Sequence, residues 1–341
     1  MKAAIYNPYL DTLGGGERYS LSVASILAKQ GYQVYIEWKD KNIKGNLEDR
    51  FSIDLANVNF VDSIKRGDGY DICFWVSDGS IPILKARKNF LHFQVPFKDL
   101  QTNVLMNKMK LFRINKVICN SNFTKSFIDR EFKIKSTVIY PPVLVEEIKP
   151  MKKMNQILFV GRFSQLKQAK NQDVLIDSFK KFYDSGFINW KLILAGGSEV
   201  GVGEFLTALK EKSKGYPIEF YENMDFGKVA NLYAKSKFFW SAVGYKVKEL
   251  KEPDRVEHFG ISVVEAMAGG AIPLVYNAGG HKEIIKNEEN GFLWNKTKDL
   301  IFQTKQLIKD RKLTDILSKN AVEQSKNFSY EKFEKKLLEI I

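Results

Sequence analysis

The chain has 341 residues, more than the roughly 250–300 at which one hydrophobic core stops growing, so two domains are expected. A content of 44% hydrophobic and 27% charged residues is that of a folded globular protein and excludes collagen-like and disordered classes. The net charge of +13 favours anionic partners: nucleic acid, phosphorylated ligands or an acidic membrane surface.

The first segment reads as a strand, KAAIYN, a glycine turn at Gly14-Gly15-Gly16, a helix carrying Tyr19, Leu21, Val23, Ile26 and Leu27, and a second strand, QVYIEW. Apolar runs follow at NVNFVD, DICFWV, FLHFQ, KVICNS and TVIYPPV, with helices expected at 80–88, 101–113 and 122–131. Strands alternating with helices imply a parallel sheet covered on both faces. Tyr140-Pro141-Pro142 stops that sheet, since proline cannot extend a ladder, and a polar linker from Glu146 to Asn155 follows. The alternation restarts at QILFVG and continues through WKLILAGG, PIEFY, KFFWSA and AIPLVY, with helices at 171–184, 203–213, 226–235 and 262–268. After GFLW come helices at 298–309, 312–325 and 332–341. The expected fold class is α/β: two Rossmann-like doubly wound domains facing a central cleft, with ligands at the carboxyl ends of the strands. The domains are expected at 1–147 and 148–326, with 327–341 a C-terminal helix packing back on the first.

No apolar run reaches the roughly 18–20 residues of a membrane span, and the first residues have neither an h-region nor a cleavage site. A cytoplasmic location is expected. Cys73 and Cys119 lie in apolar runs, as small buried hydrophobes rather than a disulfide framework. His92, His258 and His281 stand singly without metal-ligand spacing, so no metal or other cofactor is expected. The aromatics lie in strand runs and helix faces and no RNP, KH or zinc-finger pattern appears, so nucleic acid is not an expected partner.

Gly15 and Gly16, between the first strand and its helix, let backbone N–H groups approach a phosphate; a tight strand-to-helix turn is the alternative. The dinucleotide fingerprint fails, because Tyr19 stands where its last glycine would, and a dehydrogenase is excluded. A stronger constellation is Glu257-His258-Phe259-Gly260-Ile261-Ser262-Val263-Val264-Glu265, with Ser262 as the expected helix N-cap. On one helix its two carboxylates would stand about 12 Å apart, beyond the roughly 5–9.5 Å of a glycosidase pair. They suit the two ends of a long ligand: carboxylates accept paired hydrogen bonds from vicinal diols, and the N–H groups around Gly260, Ile261 and Ser262 would meet a phosphate between them.

At these residues the sequence resembles the retaining glycosyltransferases of the GT-B fold, the large family-4 group. The match runs through Gly14-Gly15-Gly16-Glu17, His92 in FLHFQVP, Cys119-Asn120-Ser121, Tyr140-Pro141-Pro142-Val143, Val160-Gly161-Arg162-Phe163, Lys170-Asn171, Leu194-Ala195-Gly196-Gly197, Glu257 to Glu265, Gly279-Gly280 with Glu283, and Asn290-Gly291-Phe292. The segment EHFGISVVEAMAGG is most similar to the branch of lipid-linked oligosaccharide mannosyltransferases. The resemblance implies that Glu257 binds hydroxyls of the donor sugar and Glu265 the nucleotide ribose, with Phe259, Gly260, Ile261 and Ser262 between them. Arg162 and Lys170 would hold the donor diphosphate; Lys167 competes with Lys170, because the stretch after Arg162 is longer than the commonest family spacing. His92 would point at the transferring sugar. Asn120 and Ser121 would lie on the ligand side of their strand or cap the next helix.

No D-x-D sequence exists to hold a metal on the diphosphate, so Arg162, a lysine and backbone N–H groups would balance its charge. The implied reaction retains the donor's anomeric configuration by same-face attack, with the leaving phosphate taking the acceptor's proton. The partners implied are a nucleotide-diphosphate sugar and a glycan or lipid-linked acceptor. A sugar-nucleotide epimerase of similar fold, a non-catalytic sugar-nucleotide-binding protein and a nucleic-acid binder are the competing readings.

Between 85 and 135 stand twelve Lys and Arg against three Asp and Glu. Within that stretch Val104, Leu105, Met106, Met109, Leu111 and Phe112 alternate with Lys108, Lys110 and Arg113, the pattern of a basic amphipathic helix on an anionic membrane surface. The protein would then be peripheral on the cytoplasmic membrane face. The alternative is that these apolar residues face the core and the lysines solvate the surface.

Overall fold

The computed structural model describes residues 1–12, 15–100, 104–164, 168–197 and 203–341. The chain divides into two compact units, Met1–Pro142 with Tyr330–Ile341, and Val143–Ser329.

Unit 1 is built of β1 (Lys2–Tyr6), α1 (Gly15–Lys29), β2 (Gln33–Glu37), α2 (Ile43–Phe51), β3 (Val58–Val61), β4 (Ile72–Val76), β5 (Lys88–Phe93), α3 (Val104–Leu111), β6 (Lys116–Cys119), α4 (Asn122–Phe132) and β7 (Thr137–Val138). Its seven strands are all parallel, in the order β3-β2-β1-β4-β5-β6-β7. The central strands are buried along nearly their whole length, as the apolar runs AAI, ICFWV and NFLHF require of a sheet covered on both faces.

Unit 2 repeats the pattern with β8 (Met154–Val160), α5 (Gln172–Asp184), β9 (Lys191–Gly196), α6 (Gly203–Lys212), β10 (Ile218–Glu222), α7 (Phe226–Lys235), β11 (Ser236–Ser241), α8 (Ile261–Ala268), β12 (Ile272–Tyr276), α9 (His281–Ile284), β13 (Phe292–Trp294), α10 (Thr297–Lys309) and α11 (Arg311–Ser325). Its six parallel strands run β10-β9-β8-β11-β12-β13. Trp240 and Trp294 are fully buried, and each indole N–H finds an acceptor, on Thr304 and on the Leu274 carbonyl. The last helix, α12 (Tyr330–Leu338), belongs to unit 1 and buries Phe333 and Leu337 in its core, with Phe333 edge-on to Tyr19.

Both units are thus the doubly wound Rossmann-like folds expected. Unit 1 closes at Pro142, where the paired prolines end the sheet, rather than at 147. The helix expected at 80–88 does not form. Asp78 and Ser77 side chains bond the backbone of Ser80 and Gly79 in a local turn, and Pro82 has no N–H to give. Ile81 and Leu84, spaced as on a helix face, enter two different core clusters. Leu105 and Met109 on α3 and Phe112 just beyond its end lie exposed, while Leu111 packs inward. No described helix is long and apolar enough to cross a membrane.

Candidate functional site

In unit 2 the strand order reverses between β8 and β11, so the loops leaving these two strands flank a switch point of the kind where doubly wound sheets bind ligands. After β8 the chain turns at Gly161-Arg162. Gln172, fully buried at the start of α5, donates its amide to the Arg162 carbonyl at 2.8 Å and fixes that turn. Asn171, in the left-handed region at φ 51°, donates to the Ala242 carbonyl beyond β11 at 2.8 Å and ties the two loops together. These bonds place Lys170 at the switch point and leave the Arg162 side chain on the exposed side of its turn.

The Lys170 Nζ donates to Glu257 Oε2 at 3.1 Å and to Gln168 Oε1 at 2.9 Å, and Gln168 in turn donates to the Val256 carbonyl. Only 13% of the Lys170 side chain and 16% of the Glu257 side chain is exposed. Burial pushes the Glu257 carboxyl up, but Lys170, then His281 and His258, outweigh it and hold the carboxyl below its ordinary 4.5. Glu257 is therefore an anion at neutral pH. An ammonium has three N–H donors; one goes to Glu257 and one to Gln168, so the third is the one with which Lys170 can meet an incoming phosphoryl oxygen.

The backbone around Glu257 is shaped by glycines. The Gly280 N–H donates to the Glu257 carbonyl at 2.7 Å, and a Cβ on Gly279, at φ 56°, would fall 2.2 Å from that same oxygen. Gly260, at φ 118°, caps α8 without a side-chain acceptor. Ser262 therefore stands inside the first turn and is not the N-cap, which corrects the sequence expectation: the chain enters the helix in a conformation that favours glycine over serine. Ile261 and Ser262 lie half-buried at the start of α8, where helical N–H groups have no intrahelical acceptor. Phe259 does not line an open surface; it is 3% exposed and packs edge-on against Phe328.

Glu265, further along α8, is buried and accepts a hydrogen bond from the Tyr233 hydroxyl at 2.9 Å. Among the described residues no group of three His, Cys, Asp or Glu side chains is placed to hold a metal ion. Lys167 and Gly14 lie outside the described residues.

Unit 1 positions its candidates differently. Gly15 opens α1, and Gly16 lies against the Gln94 side chain, where a Cβ would come within 2.3 Å of the amide oxygen. Asn120 donates to the Gln94 carbonyl at 3.0 Å, and Ser121 accepts from the Thr124 N–H as the N-cap of α4, so the capping alternative describes Ser121. His92 is wholly buried. Its ring stacks on Tyr19, with centroids 4.0 Å apart, and neither ring nitrogen has a hydrogen-bond partner. Burial pushes it down to about 3, so it is neutral. In this arrangement the imidazole lies against the rings of Tyr19 and Phe74, on the same face of its strand as Phe90.

Sequence reasoning did not assign His281. It is fully buried beside Glu257, its Nδ1 is 2.9 Å from the Tyr276 carbonyl, and its Nε2 is without a partner. Burial pushes His281 below its ordinary 6.5, partly offset by the Glu257 charge. Its neighbours Gly279 and Gly280 were the available signal.

The family model for glycosyl transferases group 1 matches residues 144–324, over half of the chain. An uncharacterized glycosyltransferase of Methanocaldococcus jannaschii is 33% identical over 220 residues, which cover 64% of this chain and 56% of that protein. A GDP-Man:Man(3)GlcNAc(2)-PP-Dol alpha-1,2-mannosyltransferase of Dictyostelium discoideum is 26% identical over 242 residues, 66% of this chain and 46% of its own. The chain thus spans about half the length of these two relatives. An alpha-1,3/1,6-mannosyltransferase of Candida glabrata is 25% identical over 401 residues, covering 94% of this chain and 86% of that one. Among solved structures, a glycosyltransferase from Rickettsia africae has a TM-score of 0.79 at 20% identity, covering 99% of this chain and 97% of its own. Anabaena HepE, in complex with UDP, has 0.77 at 18% identity, covering 99% of both chains. These structures share the fold.

Proposed function

Because the chain belongs to the glycosyl transferases of group 1, with the GT-B fold and relatives among the lipid-linked oligosaccharide mannosyltransferases, we propose that it moves a hexose, with retention, from a nucleotide-diphosphate sugar to a hydroxyl of a lipid-linked or other membrane-associated glycan. The observation that carries the reading is the Lys170–Glu257 pair at the switch point of unit 2 beside the start of α8. An anionic Glu257 accepts hydrogen bonds from sugar hydroxyls. Lys170, with Arg162 and the α8 N–H groups, takes the negative charge of the diphosphate, which grows as the glycosidic bond breaks. On this reading no metal is needed, the acceptor hydroxyl attacks from the leaving group's face, and the departing phosphate takes the proton. Glu265 holds the ribose, and the protein works from the cytoplasmic membrane face.

The names of the relatives support a glycan acceptor on a lipid diphosphate and put GDP-mannose first among donors; HepE, solved with UDP, keeps UDP-sugars in the comparison. Calorimetric titration with GDP-, UDP- and ADP-sugars tests the reading. Binding of one donor, weakened in Lys170→Ala, is expected; no binding of any donor would refute it. Turnover of that donor without an acceptor would instead indicate an epimerase.

A further inference from the structure

His281 is a buried titratable group beside Glu257 that the proposed reaction leaves without a task. The turn that carries it is pressed onto the Glu257 loop: the Gly280 N–H donates to the Glu257 carbonyl at 2.7 Å, and a Cβ on Gly280 would fall 2.5 Å from the Phe259 Cα. This close approach of two backbones sets the imidazole, wholly buried, where the Glu257 charge acts on it. A carbonyl only accepts, so the 2.9 Å contact with Tyr276 assigns the ring hydrogen to Nδ1. Nε2 is then a bare, buried lone pair with no partner, which costs stability. One proton would make the ring a cation.

Glu257 bears on the ring from the loop before α8, and Lys170 from the loop after β8. The end of β12 presents the Tyr276 carbonyl, while the Tyr276 ring packs on Tyr245 and Trp294. On α9 itself Lys282 is paired with Glu249 at 2.6 Å, and Glu283, two residues on, leaves another side of the turn. His258, which also acts on Glu257, rests on the Asp254 carbonyl at 3.3 Å. We propose that His281 is the reserve cation of Glu257: as a donor diphosphate draws Lys170 away from the carboxylate, the imidazole takes a proton from solvent at Nε2 and keeps Glu257 an anion poised for the sugar hydroxyls. The proposal rests on the donor reading above and adds that donor binding consumes a proton. His281 acts through Glu257 and is a positioning residue. In the free protein burial holds His281 below its ordinary 6.5, with Glu257 raising it and Lys170 lowering it. Withdrawing the ammonium removes a lowering influence and the diphosphate brings further negative charge, so both push His281 upward. Affinity therefore rises as pH falls through the bound-state value, by at most about tenfold per pH unit for one proton.

Calorimetry with GDP-mannose and UDP-glucose in buffers of different ionisation enthalpy tests this, because the diphosphate of a nucleotide sugar has no group of its own that titrates near neutral pH. Wild type should take up protons with whichever probe it binds, and bind more tightly at about pH 6 than at about pH 8. His281→Asn keeps an N–H for the Tyr276 carbonyl but cannot titrate, and should bind without uptake and with a flat pH profile. His258→Asn should keep the uptake. Buffer-independent binding by wild type, or uptake retained in His281→Asn, would overturn the proposal. Histidine NMR supplies a readout that needs no substitution at His281, since the chain has three histidines. The His281 signal should titrate at higher pH with the probe bound, and at lower pH in free Glu257→Gln, where the raising charge is gone. An imidazole that titrates alike in all three states overturns the proposal as well. No binding of any nucleotide sugar, with the Glu257→Gln shift intact, would sink the transferase reading and leave the coupled pair standing.

Discussion

Replacing Lys170 by methionine keeps the length of the side chain and removes the charge that faces Glu257 at 3.1 Å. Deleting one partner of a fully buried ion pair costs about 3–5 kcal/mol, because the other charge is left without compensation. Here 16% of the Glu257 side chain remains exposed to solvent, so about 2–3 kcal/mol is expected at neutral pH. The sign with pH is distinctive. In the wild type the Glu257 carboxyl sits below its ordinary 4.5, so its contribution is present above that value and is lost as pH falls through the folded value. In the variant, burial without the ammonium pushes the carboxyl above 4.5, so the deficit is full at neutral pH and closes on acidification, when Glu257 takes a proton. Urea unfolding followed by tryptophan fluorescence, at about pH 7 and about pH 4, measures both. Lys170→Met/Glu257→Gln should recover most of the loss at neutral pH. A deficit that is the same at both pH values, or a double variant no better than the single, would refute the pair as described. Transfer should also fall roughly ten- to a hundredfold in kcat/KM, from about 1.5–3 kcal/mol of lost charge-assisted bonding to the diphosphate.

Glu265→Ala should weaken binding of the free nucleoside diphosphate, whereas Glu257→Ala should spare it and reduce sugar transfer; equal losses in calorimetry would undo that division. Tyr233→Phe is the control, expected to cost about 1 kcal/mol of stability with nucleotide affinity kept. His92→Phe should fold and resist acid better than wild type: a folded value of about 3 against an ordinary 6.5 means that stability is lost as pH falls between the two, and phenylalanine has no proton to take up. Melting curves across that range would show no change if His92 were not buried and neutral. Gly279→Ala combines a left-handed φ with a Cβ 2.2 Å from the Glu257 carbonyl, and should cost about 1–3 kcal/mol in thermal stability together with most of the transfer activity.

The parallel sheets were legible because buried strands write continuous apolar runs, and the glycine and proline breaks between them are equally plain. What failed was periodicity without length. Ile81 and Leu84 mimic a helix face, yet Pro82 and the Asp78 turn hold them in an irregular connection. Conversely, α2 went unread: its buried residues Ile43, Leu47 and Phe51 are spaced by four, but Gly45 and the charges between them dilute the stripe.

The candidate site divides along a chemical line. Of its charged members, Glu257 and Glu265 stand out by their spacing around Phe259-Gly260, whereas Lys170 is singled out only by the resemblance to a known family. The groups that aim them are neutral amides: Gln168 holds Lys170 to the Val256 carbonyl, Gln172 fixes the Arg162 turn, and Asn171 spans two loops. In a sequence such side chains are indistinguishable from surface polar residues, because what sets their role is a carbonyl distant in the chain. His92 shows the limit of that reading, because its strand is buried on both faces and strand alternation alone could not say whether an imidazole there meets packed rings or a ligand. Side-chain chemistry locates a site only after strand alternation and turn geometry have decided which side chains can reach it.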